Sequence, residues 1–205
     1  MLLNISLRED ILLNFPNFEY FNCSEPERLN FNLACNLVGD QQEAFIYYWL
    51  FKQLKEHGGC GADFGCGQNI HLASIGMDSY FGLNHPTYGG GPYVPHITSL
   101  AENAHKIFNP ETFSWVIMSH ILEHIDNPII TFRNCCKLLK KNGIIILLMP
   151  DATYEELMWD KTHKNFFTPS DFERLIINSN KDLIKTEELD TLHNMFSFNY
   201  IGRRI

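Results

Sequence analysis

Gly61-Ala62-Asp63-Phe64-Gly65-Cys66-Gly67-Gln68-Asn69 reads as a short buried strand, beginning at Cys60, that runs into a loop only small residues can make. Gly65 and Gly67 permit positive φ and let a ligand approach the backbone, and N–H groups beyond them can hold a carboxylate much as helix N-termini hold anions. An open α/β sheet places its ligand crevice at this end of a strand. The dinucleotide fingerprint requires a third glycine at position 70, where the chain has Ile70, so a nicotinamide enzyme is disfavoured.

Outward from this loop, short apolar runs alternate with helical patterns. Ser74–Asp78, Trp115–Met118 and Ile144–Met149 read as further strands, the last two buried on both faces, which predicts a parallel sheet with crossover connections. Asp40 caps a helix through His57, with Glu43 completing a capping box and Gly58-Gly59 ending it; this helix is apolar nearly all round. A second helix starts at Asn127-Pro128, buries Ile129, Phe132, Cys136 and Leu139, and ends on Lys137, Lys140 and Lys141 before Gly143. A third starts at Thr168-Pro169, with Asp171 in its first turn, and buries Phe172, Leu175 and Ile176. Asp182–Leu189 and Met195–Arg203 predict a closing antiparallel pair turning near Thr191–Asn194. Residues 1–36, with Pro16 and Pro26 and no sustained periodicity, read as an N-terminal arm, and 37–205 as the main domain.

The 205 residues, 45% hydrophobic and 20% charged, fit one ordinary globular domain. A formal net charge of -8 argues against a nucleic-acid partner, whose phosphates require clustered Lys and Arg. Cys23, Cys35, Cys60, Cys66, Cys135 and Cys136 read as reduced thiols, because a chain this long needs no disulfide framework. The first ten residues lack a signal-peptide pattern, and the longest apolar stretch, Ala44–Phe51, is far short of the roughly 20 residues that span a bilayer. A cytoplasmic protein without a membrane span is expected.

Three ordered motifs, Asp63-Phe64-Gly65-Cys66-Gly67, Gly76-Met77-Asp78 and Ser119-His120-Ile121-Leu122-Glu123-His124, resemble those of class I S-adenosylmethionine-dependent methyltransferases. The resemblance continues through Leu138–Gly143 and Pro150-Asp151 and covers roughly residues 41–205. It implies a Rossmann-like α/β fold, with a mostly parallel sheet, an antiparallel C-terminal strand and helices on both faces. It also implies S-adenosylmethionine as cofactor, held by Asp63, Gly65, Cys66, Gly67, Asp78, Ser99, Leu100 and Ser119. Gly65 and Gly67 would meet the methionine part, Asp78 the ribose, and Ser99-Leu100 the adenine, with Asp63 ordering the loop from below. Asp63 and Asp78 stand only fifteen positions apart, against about 20 or more for a full strand–helix–strand unit. The first crossover helix is therefore expected to be shortened or replaced by a loop. This spacing is similar to a compact subgroup associated with cell-surface polysaccharide synthesis, from which a sugar or other small-molecule acceptor is inferred by analogy.

Methyl transfer from a sulfonium is a direct displacement, so alignment and exclusion of water matter more than many catalytic groups. For a hydroxyl acceptor a general base helps, and His120 and His163 have the intrinsic pKa for it. Tyr154 and Trp159, after the last parallel strand, are candidates for an acceptor pocket, whereas Phe166 and Phe167 are expected to pack the following helix. Gly89-Gly90-Gly91-Pro92 reads as a lip over the donor site or a plain connection. His120–His124 also satisfies H-x-x-E-H, the pattern of inverted zinc proteases, but its place after a strand favours hydrogen bonds that fix the loop, and no metal is expected. Cys60 and Cys66 lack a second pair to complete a metal site. The competing view of the whole chain is a catalytically inert methyltransferase-like binding or scaffolding module.

Overall fold

The computed structural model describes residues 41–68, 70, 71, 73–80, 95–154, 160–192 and 196–205. Helix α1 (Gln41–His57) precedes β1 (Gly61–Phe64), β2 (Ser74–Asp78) and the two-residue β3 (Ile97–Thr98). A 3-10 turn (Ala101–Asn103) leads into the short α2 (Ala104–Ile107), followed by β4 (Phe113–Ser119) and a second 3-10 turn (Leu122–His124). Then come α3 (Pro128–Leu138), β5 (Leu139–Pro150), α4 (Pro169–Phe172, continued by a π turn over Glu173–Ile177), β6 (Ile184–Leu192) and β7 (Ser197–Arg204).

These strands form one sheet in the order β3-β2-β1-β4-β5-β7-β6. β1 through β5 run parallel, and β7 runs antiparallel to both β5 and β6. The mostly parallel sheet closed by an antiparallel C-terminal strand is the Rossmann-like arrangement that the resemblance implies. Between β1 and β2 the described residues hold no helix, as the short spacing from Asp63 to Asp78 implied.

Side-chain alternation divides the core between the two faces of the sheet. Trp115, Ile117, Ile144, Ile146, Leu148 and Ile201 point to one face, where Phe45, Ile46, Trp49 and Leu50 of α1 cover them. Val116, Met118, Ile145, Leu147, Phe198 and Tyr200 point to the other, beneath Phe132, Cys135 and Cys136 of α3 and Phe172 of α4. The Trp115 indole donates to Ser74 Oγ at 2.9 Å, and it lies so close to Gly61 that a Cβ there has no room.

Several expectations change at the element ends. Ile129 is exposed, in the first turn of α3, while Phe132 and Cys136 are buried. α3 stops at Leu138; Leu139 is extended (φ -74, ψ 137), which puts Lys140 and Lys141 in β5 instead of the helix. Asn127 makes no side-chain cap, whereas Thr168 Oγ1 accepts from Asp171 N at 3.1 Å. The π turn rotates α4 by one residue, so Ile176 and Ile177 face the core and Leu175 turns outward. α1 is not buried all round: Lys55, Glu56 and His57 are exposed. β6 extends through Leu192, past the expected start of the turn. The arm at 1–36, the Asp40 cap, Asn69, the glycine run at 89–91 and Trp159 lie outside the described residues. Cys60, Cys66, Cys135 and Cys136 are free thiols.

Candidate active site

Parallel pairing brings the carboxyl ends of β1, β2 and β4 to one edge: Phe64 lies beside Met77 on one side and Met118 on the other. Gly65 therefore leaves the sheet between Asp78 and Ser119. Gly65 and Gly67 both take positive φ, 72° and 55°. A Cβ on Gly65 would lie 2.8 Å from the Ile121 side chain, so the position excludes larger residues on steric as well as torsional grounds.

Two carboxylates hold the loop. Asp63 is 1% exposed, and its Oδ2 accepts from both His71 N (2.9 Å) and His71 Nδ1 (2.7 Å). Asp78, half-buried, accepts from Gly67 N at Oδ2 and from Tyr80 N at Oδ1, each at 2.9 Å. Gly65 N and Cys66 N donate to Met77 O. The N–H groups of Gly65, Cys66 and Gly67 are thus used inside the loop. Burial, then the Asp63 and Asp78 carboxylates, push the Cys66 thiol far up from its ordinary range, which leaves it protonated and unreactive.

On the far side of β2, Ser99 N donates to Asp78 O at 2.8 Å. Leu100 follows with 52% of its surface exposed, an apolar side chain standing free on the same edge. Across β1, Ser119 ends β4 and His120 takes φ 51°, a left-handed conformation that costs a non-glycine residue about 1–3 kcal/mol and clusters at functional sites. His120 N donates to Leu148 O, and its Nε2 lies 3.0 Å from Gln42 Oε1. The other end of the Gln42 amide donates to Ser197 Oγ, which fixes the amide so that its oxygen accepts the Nε2–H of the histidine.

His163 is not brought to His120. Its ring packs on His124, with centroids 4.9 Å apart, and its Nε2 lies 3.7 Å from Asp160 Oδ2. Glu123, 1% exposed, stands between the two histidines that flank it in sequence: Oε1 is 3.6 Å from His120 Nδ1 and 3.8 Å from His124 Nε2. The loop is fixed by the Glu123 carbonyl, which accepts from Lys164 N and Asn165 N, and not by the carboxylate. Tyr154 is half-buried and meets Phe196 edge-on at 4.9 Å. Phe167 is buried against Phe172 as expected, but Phe166 is 42% exposed. Sequence reasoning missed His71 and Gln42. The polar partner they supply to Asp63 and His120 comes from chain reversals that leave no local pattern.

A cavity of about 340 Å³ lies at the opposite edge of the sheet, lined by residues that include Gln53, Ser114, Lys140 and Gly143. It belongs to the amino ends of β4 and β5 and is separate from the glycine loop.

Solved structures share this fold at low identity. A SAM-dependent methyltransferase from Archaeoglobus fulgidus is 18% identical, with 85% of this chain and 99% of that one covered and a TM-score of 0.51. A protein from Pyrococcus horikoshii is 15% identical over 78% of this chain and 88% of its own, with a TM-score of 0.52. An S-adenosylmethionine-dependent methyltransferase from Mesorhizobium loti is 15% identical over 76% and 96%, with a TM-score of 0.50. No curated protein sequence matches the chain. Residues 44–185 match a family model described as a methyltransferase domain, and on that match the chain belongs to this family of methyltransferases.

Proposed function

We propose that the chain transfers the methyl group of S-adenosylmethionine to a hydroxyl of a small-molecule or sugar acceptor, at the carboxyl edge of the sheet. The observation that carries this reading is the placement of Asp78 at the end of β2, its carboxylate laced to the glycine loop and only half-buried. Each carboxylate oxygen keeps a lone pair beyond the one its backbone N–H uses, so Asp78 can still accept from the two ribose hydroxyls. The methionine part would lie along the backbone of Gly65 and Gly67, and the exposed Leu100, beside Ser99, offers an apolar face to adenine. These residues fit the cofactor.

The cofactor supplies a methyl carbon on a sulfonium, already activated for direct displacement. The protein's share is alignment, water exclusion and removal of one proton. With Nε2–H committed to Gln42 Oε1, His120 keeps the Nδ1 lone pair to take the acceptor's proton. Held by Gly65, Gly67 and Asp78, the cofactor would supply the methyl group that the deprotonated acceptor oxygen takes up, with S-adenosylhomocysteine as the leaving product. Tyr154 and Phe196, the latter 51% exposed, form an aromatic wall of the kind that receives sugar faces, and Trp159 belongs to the same stretch of sequence.

The test is a screen of hydroxyl acceptors with methyl-labelled S-adenosylmethionine. Label should move to one acceptor class with release of S-adenosylhomocysteine, and His120→Gln should lower kcat by about 100-fold or more, the usual share of a general base. Donor binding with no transfer to any acceptor would instead favour an inert binding module.

A further inference from the structure

Beside the proposed transfer site lies a second cluster with its own chemistry. Glu123 is buried, yet neither of its carboxylate oxygens has a hydrogen-bond partner among the described residues. A buried carboxylate in that state costs several kcal/mol unless a positive charge compensates it. One ligand atom each from Glu123, His124 and His163 lie within 4.8 Å of one another. His124 Nδ1 is 3.1 Å from Thr162 O. A carbonyl only accepts, so Nδ1 carries the proton and Nε2 turns its lone pair toward Glu123 Oε1. Metal-bound histidines are oriented in this way, the second ring nitrogen donating to a carbonyl or carboxylate.

The backbone fixes the cluster. Lys164 N and Asn165 N donate to Glu123 O at 2.8 and 3.0 Å, and Asn165 Nδ2 donates to Ile125 O at 2.6 Å. These bonds pin the segment that carries His163, whose side chain is 8% exposed, onto the 3-10 turn that carries Glu123 and His124.

We infer that Glu123, His124 and His163 form a binding site for a divalent transition-metal ion such as Zn2+. Two imidazoles and one carboxylate are a ligand set that Zn2+ and its first-row neighbours accept, and three protein ligands leave a position open. Metal–ligand distances of about 2.0–2.2 Å place tetrahedral ligands about 3.3–3.6 Å apart, so side chains now within 4.8 Å of one another need to close by up to roughly 1.5 Å. The proposal departs from the sequence expectation of no metal; its residues are the Glu123-His124 end of H-x-x-E-H and His163 beyond the next strand. The open position takes an acceptor oxygen, whose hydroxyl the ion acidifies next to His120. That use rests on the methyl-transfer reading, whereas the binding itself does not.

The test uses the tag-free full chain, stripped with a chelator and titrated with Co2+ while its visible absorption is followed. One equivalent should bind with the spectrum of a nitrogen- and oxygen-ligated ion and be displaced by Zn2+. Binding should disappear in His124→Ala and His163→Ala. Glu123→Gln keeps the side chain's shape and removes an uncompensated buried charge, so it should melt no lower than the unaltered metal-free chain. Its Co2+ affinity should still fall by more than the roughly 10- to 100-fold typical of losing an outer-shell partner. No stoichiometric binding, or equal binding by Glu123→Gln and the unaltered chain, would overturn the site and leave Glu123 as the partner of protonated histidines. Because no methyl donor is present, failure here leaves the methyl-transfer reading standing, and failure of that reading leaves this one.

Discussion

Asp63 shows how one buried side chain organises a loop. Its Oδ2 holds both the backbone N–H and the ring of His71, and it thereby sets the return path from the glycine turn to β2. Hydrogen bonds to a charged group contribute about 1.5–3 kcal/mol, so Asp63→Asn should lower unfolding free energy by an amount in that range, measured by urea denaturation. An unchanged denaturation midpoint would mean that the His71 contact organises nothing. Gly65 carries a different constraint, since any side chain there meets Ile121 at φ 72°. Gly65→Ala should weaken donor binding at least about tenfold, because the backbone must shift to relieve a strain of about 1–3 kcal/mol. Calorimetry of that variant, with donor affinity unaltered, would speak against the loop as the donor's seat.

Elements reveal which parts of the fold a linear sequence carries. β2 occupies the residues that the apolar run Ser74–Asp78 predicted, and the Thr168 cap forms its bond to Asp171. These features depend on neighbours in sequence. The π turn of α4, the exposure of Ile129 and the two-residue β3 depend on what the rest of the molecule places alongside, and no period of 2.0 or 3.6 residues encodes them. The site divides in the same way: the ends of β1, β2 and β4 were legible, while the partners His71, Gln42 and Thr162 were not. The β6–β7 hairpin adds a pH response. Arg203 Nε and Nη2 donate to the two oxygens of Glu187 at 2.6 and 2.9 Å, which holds that carboxyl below its ordinary range. The stabilisation is complete above the unfolded glutamate pKa, near 4.5, and is lost as pH falls through the depressed folded value. Glu187→Gln should therefore cost up to about 1 kcal/mol at pH 7, a difference that vanishes in denaturation curves taken well below pH 4.5. A deficit that persists in acid would assign the effect to packing instead.

Among the described residues, the sheet separates a core under α1 from a core under α3 and α4. Phe172 joins both sides of this second core by meeting Phe132, Phe198 and Tyr200. Phe172→Ala should cost about 3–5 kcal/mol, with the thermal midpoint falling accordingly; a small loss would mean that α4 is peripheral to stability. Among the described residues no helix is long and apolar enough to cross a membrane. The donor edge is the feature that unites sequence, fold and proposed chemistry. Calorimetric titration of the full chain with S-adenosylmethionine and S-adenosylhomocysteine, repeated with Asp78→Ala, tests it most directly. One site of micromolar affinity in the unaltered chain, lost in Asp78→Ala while the variant stays folded, is the expected result. Absence of binding, or binding indifferent to Asp78, would contradict the placement of the cofactor on this edge.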